Sequence, residues 1–297
     1  MGIDLLWFIL FTANIMKHLH ELIISSIENT EEEIWFPKLT PLLTHFGWQQ
    51  LIEQFGINKN NYTTEAVLTG KLNGESIPFA YVQQNHIPIY AVPTLLENDF
   101  ISSNFKTYDD LELKNSSVLS CVQEAFELLD EVPSITKSVT ELVANLHLLK
   151  PENSEYDVSC SFPNIPFSIF VSVPAIRTAN DALRLAEGIL HESMHLQLTL
   201  IDYALPLIRK DANLIPHYSP WKNGFRHPLG VIHALYVFKV VYVFLQKLYL
   251  SGQVDEHRKK RMFEINKQIQ NIIEFKNYAG FTQSGSKLIE RLFNPAS

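Results

Sequence analysis

The run GILHESMHLQL, residues 188–198, decides how this chain is read. Leu183, Ala186, Leu190, Met194 and Leu198 recur at helical spacing, with Thr178 to Asp181 able to cap the start and Pro206 near the last turn. The pattern predicts a helix over about 180–208. It carries His191, Glu192 and His195 in the order H-E-x-x-H. Residues four apart on a helix are turned by about 40° and separated by about 6 Å along the axis, so both imidazoles can converge on one ion. Glu192 is turned roughly 100° from His191 and stands beside the ion rather than on it. A third ligand must come from elsewhere, leaving open positions for water or substrate, as in catalytic metal sites. With 11 histidines in 297 residues, a chance H-E-x-x-H is expected only roughly 0.03 times.

Outward from this helix, residues 157–174 alternate and end in proline, which predicts a strand or hairpin. Residues 211–230 are rich in Pro, Gly, Asn and aromatic side chains and read as a loop. The apolar run 229–250 reads as a core helix, since His233, Lys239, Gln246 and Lys247 suit a fold interior edge better than lipid. An amphipathic helix is expected over 255–279, closed by Gly280. Residues 116–149 repeat apolar positions at three and four and split at Pro133 into two helices. Nearer the start, Asn29 or Thr30 can cap a helix that Pro37 and Pro41 interrupt. The turn-rich 56–93 segment is expected to be strands or extended loops. These elements predict a mainly α (α+β) fold, a helical metalloenzyme with the motif on a core helix and a few short strands. Two regions are expected, 1–115 as an N-terminal region suited to substrate recognition and 116–297 as the metal-binding catalytic region, or one continuous domain.

The net charge of −8 and pI near 5.8 argue against a nucleic-acid partner, which needs a basic surface. The basic run HRKKR, 257–261, sits beside Asp255 and Glu256 and reads as a solvated helix start. Cys121 and Cys160 form no C-x-x-C pair and suggest buried free thiols in a reducing cytoplasm. The apolar stretch 3–16 lacks a cationic leader and a cleavage site, so a buried first helix is expected and no membrane partner.

For the third ligand, His233 is the choice, because a rigid helix start would press its imidazole against the motif helix. Glu187, one turn before His191, could orient that ring. Asp202 lies too far along the axis. His217 and His227 read as surface or substrate-loop residues, and His18, His20 and His147 as core or surface histidines. Arg226, in the loop leading to His233, would bring a guanidinium into the same cleft, where it can clamp a carboxylate; the bland alternative is a structural salt bridge. Two chemistries remain open. Zinc could activate water with Glu192 as general base, or iron(II) could keep open sites for a cosubstrate and dioxygen.

The strings LAEGILHESMHLQL (185–198) and YSPWKNGFRHPLGVIHALYVF (218–238), following a strand ending FVSVP, resemble the HExxH-motif peptide-modification proteins of ribosomal peptide gene clusters. The resemblance covers about residues 160–245 and rests on the motif and on Trp221, Arg226, Pro228, Gly230 and His233. Where many relatives have Arg-Pro, this chain has Arg226-His227-Pro228. The resemblance implies an iron(II)- and 2-oxoglutarate-dependent peptide β-hydroxylase acting on a ribosomally made precursor peptide. It implies that His191, His195 and His233 hold iron and that Arg226 pairs with the distal carboxylate of 2-oxoglutarate. Glu192 would then order water or substrate beside the metal.

Overall fold

A computed structural model describes residues 16–294, apart from 61, 70–77, 79, 83–86, 103–104, 109, 114–115, 152–157, 163, 175 and 253–255. The expected first helix over 3–16 lies almost wholly outside the described residues.

The described chain opens with α1 (16–28) and α2 (Thr40–Phe55), followed by α3 (Thr64–Thr69), β1 (Ala80–Val82), β2 (Ile87–Tyr90), α4 (Thr94–Ser102), β3 (Phe105–Thr107) and α5 (Asp110–Leu113). Next come α6 (Ser116–Asp130), α7 (Pro133–Leu142), β4 (Asn145–Pro151), β5 (Ser159–Phe162), β6 (Ile165–Ser172) and α8 (Asp181–Ala204). The last part holds β7 (His217–Ser219), β8 (Gly224–Arg226), α9 (Pro228–Leu250), α10 (Glu256–Gln270), a 3-10 turn (Ile273–Asn277) and α11 (Gln283–Phe293). Helices dominate and the strands are short, in keeping with a mainly α, α+β chain.

One mixed sheet runs β1-β2-β4-β6-β5, with β3 also paired to β4. β4 is parallel to both β2 and β6, while β5 returns antiparallel on β6. The sheet draws strands from both sides of residue 115. Successive residues of a strand face opposite ways, and each face meets its own apolar cluster. Leu146, Leu148, Ile169 and Val171 join the cluster that includes α6, α8 and α9. Leu149, Phe167 and Phe170 join the one that includes Trp48, Tyr62 and Phe100. Between the layers sits a buried polar knot: the His147 ring stacks on Phe170 with centroids 4.6 Å apart, its Nε2 lies 2.6 Å from Thr64 Oγ1, and its Nδ1 lies 2.8 Å from the Ala91 carbonyl.

Several expectations need correction. Residues 145–151 are a strand, not the end of a second helix; a strand covered on both faces loses the period-two alternation that would mark it. The segment before α2 is a set of turns, and Pro41 sits in the first turn of α2, where its missing N–H costs nothing. Within 56–93 a short helix, α3, precedes the strands. The 255–279 helix stops at Gln270, and α11 follows beyond Gly280. α9 is apolar and long enough to cross a membrane, yet 72% of its most apolar window is buried in the fold, which makes it a core helix.

α8 is anchored at its start by Asp181, whose carboxylate accepts from Thr178 Oγ1 at 2.8 Å and pairs with Arg184. Its N-cap residue, Asn180, makes no side-chain cap bond. Further along, Gly188 passes over Ser159 and Val171, which brings the following turn of α8 against β5. The helix also packs on α6 and α9. The motif is thus held between an edge strand and a core helix.

Candidate metal centre

His191 and His195 project from α8 and His233 from α9, and the three imidazoles form a row. His191 Nε2 lies 3.1 Å from His195 Nε2, and His195 Nδ1 lies 3.1 Å from His233 Nδ1. The ring centroids are 4.7 and 5.3 Å apart along the row. Two imidazole nitrogens on one ion, each bound at about 2.0–2.1 Å, stand roughly 3 Å from each other, and the His191–His195 pair has that separation. The contact with His233 uses the opposite nitrogen of His195. The three nitrogens therefore do not close on one point, and among the described residues no group of three or more His, Cys, Asp or Glu side chains forms a ready cage. The nearness of the rings and the direction of their nitrogens are separate facts, and the row satisfies only the first.

Burial keeps all three rings neutral. It pushes His191 down to about 3, helped by the charges of Arg261 and Lys222, and His233 down to about 4, helped by Arg226. His195 falls well below its ordinary value, first from burial and then from its charged and imidazole neighbours. A neutral imidazole carries one N–H and one lone pair. Such rings can relay hydrogen bonds along the row, and they are also the form that ligates metals.

Glu192 is 3% exposed. Ser161 Oγ donates to its Oε2 at 2.7 Å, while Oε1 lies 3.9 Å from His191 Nε2. Burial raises its pKa, against the lowering effect of Ser159, Ser161 and Lys222. The carboxyl is thus moored to β5 and lies beside the imidazole row.

These groups open into a cleft of about 730 Å³ between β5, α8, α9 and the β7–β8 hairpin, a size common for small-ligand sites. The hairpin replaces the expected loop. It turns at Asn223, whose φ of 46° is left-handed, a conformation that Asn adopts at low cost. Tyr218 Oη donates to Asn223 Oδ1 at 2.9 Å, and Lys222 N donates to the Ser219 carbonyl at 3.2 Å. The next helix starts directly behind it: His227 Nδ1 accepts from Leu229 N at 3.2 Å and Pro228 opens α9. His227 is therefore a helix cap that also lines the cleft, and His217 packs on Phe275 and Tyr278.

Arg226 leaves β8 and lies across the first turn of α9. A Cβ built on Gly230 would stand 3.4 Å from its Nε and 3.5 Å from its Cζ. Among the described residues Arg226 is in no ion pair, so the salt-bridge alternative finds no partner there. Glu187, expected near His191, pairs with Arg261 of α10 at 3.0 Å, and that guanidinium lies over Phe238, 5.8 Å from the ring centroid. Asp202 caps the end of α8 by accepting from Leu207 N at 2.9 Å. His147 belongs to the core knot. The basic run is divided: Arg258 is buried and lines a pocket with Glu124, Glu127 and Glu131, whereas His257 and Arg261 line one beside His191.

Three further groups in the cleft, Ser159, Ser161 and Lys222, were not picked out by sequence reasoning. The serines alternate along β5 and so share the face toward Glu192, a signal visible only once that strand is placed. Lys222 falls in the Pro-, Gly- and Asn-rich 211–230 stretch and carries no pattern of its own. Compared with known proteins, the chain matches no family model and no curated sequence.

Proposed function

We propose that this chain is an iron(II)- and 2-oxoglutarate-dependent oxygenase that hydroxylates a side-chain β-carbon of a ribosomally made peptide in the cytoplasm. The observation that carries the reading is the row of three imidazoles in one cleft beside an arginine that, among the described residues, is in no ion pair. His191, His195 and His233 would hold the metal, and neutral nitrogens suit iron(II) and zinc alike. The reading requires a side-chain rotation that brings a His233 nitrogen to the face shared by His191 and His195. When bound, iron with 2-oxoglutarate and dioxygen supplies the oxidising power to place one oxygen atom in a C–H bond. Arg226 offers a planar fork to the distal carboxylate of the cosubstrate, and Gly230 leaves room for that fork against α9. Glu192, moored by Ser161, holds a polar group at the edge of the row and orders what lies beside it. β5 forms one wall along which a peptide can lie.

The test is incubation with iron(II), 2-oxoglutarate, ascorbate and the precursor peptide encoded beside the gene. Succinate should appear together with a peptide heavier by one oxygen atom. A second reading, zinc-dependent peptide hydrolysis, is favoured by the placement of Glu192 Oε1 3.9 Å from His191 Nε2 and by its raised pKa, as a general base requires. Glu192→Gln separates the two. The amide keeps an acceptor for Ser161, so oxygenase turnover should stay within about tenfold, whereas loss of a hydrolytic base costs on the order of 10²–10⁴. A thousandfold loss with peptide cleavage in the parent protein would turn the assignment to the hydrolase.

Gly230 gives an independent prediction about the cosubstrate. Alanine there would make ordinary contact with Arg226, but Gly230→Leu should displace the guanidinium. The KM for 2-oxoglutarate should rise about tenfold, the scale of one charge-assisted hydrogen bond, with little change in kcat. An unchanged KM in a folded Gly230→Leu variant would remove Arg226 from cosubstrate binding.

A further inference from the structure

β5 is the last strand of the mixed sheet, and among the described residues it pairs only with β6. Its two faces are both occupied. Ser159 and Ser161 turn to α8, where Ser159 Cβ meets Gly188 and Ser161 Oγ holds Glu192 at 2.7 Å. Val158, Cys160 and Phe162 pack on the apolar cluster of Trp48 and Phe167. Yet all five consecutive residues line the cleft. Successive side chains of a strand point to opposite faces, so a cavity that touches both sets meets the strand along its open edge. The phase of the ladder says which backbone groups stand on that edge. Ser172 N donates to the Val158 carbonyl at 2.8 Å, and the pairing stays in register from Ser159–Val171 to Ser161–Ile169. Hydrogen-bonded and non-hydrogen-bonded pairs alternate in an antiparallel ladder. Val158 and Cys160 therefore direct their backbone groups to β6, while Ser159 and Ser161 direct theirs away from it, toward the cleft.

We propose that the peptide substrate binds as an added strand on the free edge of β5, exchanging backbone hydrogen bonds with Ser159 and Ser161. This rests on the reading above, in which the imidazole row is the metal centre and a peptide is the reactant. An unpaired strand edge is a template for another extended backbone, because the groups of residues two apart repeat every ~6.6 Å. Position selects a peptide over a second copy of the chain: the edge lies within a cleft of about 730 Å³ whose other walls are α8, α9 and the β7–β8 hairpin, a volume that suits a small ligand rather than a further sheet. Residues directly opposite in a ladder share a face. A peptide residue paired with Ser159 or Ser161 thus turns its side chain to the side of Glu192 and α8, the helix that carries His191 and His195. Its neighbours in the peptide turn to the apolar side of Val158, Cys160 and Phe162. The residue to be modified is set by this register, and apolar residues flank it.

Strand addition is tested by binding rather than turnover, with the full-length protein, iron(II) and no oxygen. A positional library of acetylated hexapeptide amides supplies the probe, and the tightest binder is remade as a series in which one backbone N–H at a time is N-methylated. Each analogue keeps its side chains and loses one donor. Methylation at two positions, i and i+2, should weaken binding about tenfold, the scale of one hydrogen bond, and at the position between them by less than about threefold. A second arm changes the protein. Ser161→Pro removes an N–H that points away from β6, which an edge strand tolerates, whereas Ser161→Ala removes only the hydroxyl. The proline variant should bind the probe about tenfold more weakly than the alanine variant. Loss without a period of two overturns the proposal, as does a library with no binder below about 1 mM, or a folded Ser161→Pro protein that binds like Ser161→Ala. A dimer in sedimentation that Ser161→Pro disperses gives the edge to a second copy and also overturns it. Binding with the period in a protein that forms no succinate would sink the oxygenase reading and leave strand addition standing; hydroxylation of a peptide that binds without the period would do the reverse.

Discussion

Replacing His195 with alanine is expected to reduce metal uptake and turnover more than any other single change in the chain. His195 is the middle ring of the row, 3.1 Å from a nitrogen of His191 on one side and of His233 on the other. Removing it takes away one ligand and also the contact that aligns the other two. Loss of a residue that merely orients a metal ligand costs about 10–100-fold, so loss of the ligand itself should cost turnover roughly 10³-fold or more, about 4 kcal/mol of transition-state stabilisation. Equilibrium dialysis against iron(II) and the succinate assay would measure both quantities. A folded His195→Ala protein that still binds one iron per chain with the parent affinity would remove the three-imidazole centre, and the functional reading with it.

The second large effect is acid destabilisation. Burial depresses the pKa of His147 from 6.5 to about 4, so in the folded state it stays neutral where the unfolded chain takes up a proton. Its stabilising contribution is complete above the unfolded value near 6.5 and is lost as the pH falls from there to about 4. The difference amounts to about 3 kcal/mol for this ring. His191 and His233 are shifted in the same direction in the metal-free protein, which enlarges the total. Urea unfolding at pH 7.5 and pH 4.5 would measure the loss. In His147→Gln, whose amide can still meet Thr64 and the Ala91 carbonyl, the fall should shrink by about 2 kcal/mol or more. Parallel pH curves for parent and variant would show that this ring does not control acid stability.

The parts of the fold that were legible in the sequence are those whose period survives in one dimension. α8 repeats apolar residues at helical spacing and carries two imidazoles four apart, and α9 is a long apolar run opened by proline. β4 is not legible as a strand because it is covered on both faces, and a strand buried on both sides shows an apolar run that a helix can also produce. The β7–β8 hairpin looks like loop in the sequence because its strands are three residues each, too short to alternate visibly.

The candidate site divides along the same line. Residues 188–198 by themselves determine that His191 and His195 share one side of a helix with Glu192 beside them, since helical geometry fixes that from spacing alone. Only the tertiary structure decided that His233 touches the row through the second nitrogen of His195, and that Glu192 is tied to Ser161. It alone brought Arg226 and Lys222 to the wall of the same cleft and turned Glu187 to Arg261. These are relations between elements far apart in the chain, set by how α8, α9, β5 and the hairpin pack. Local spacing carries no information about the direction a side chain takes across such a junction, because that direction is chosen by the neighbours that fill the space around it.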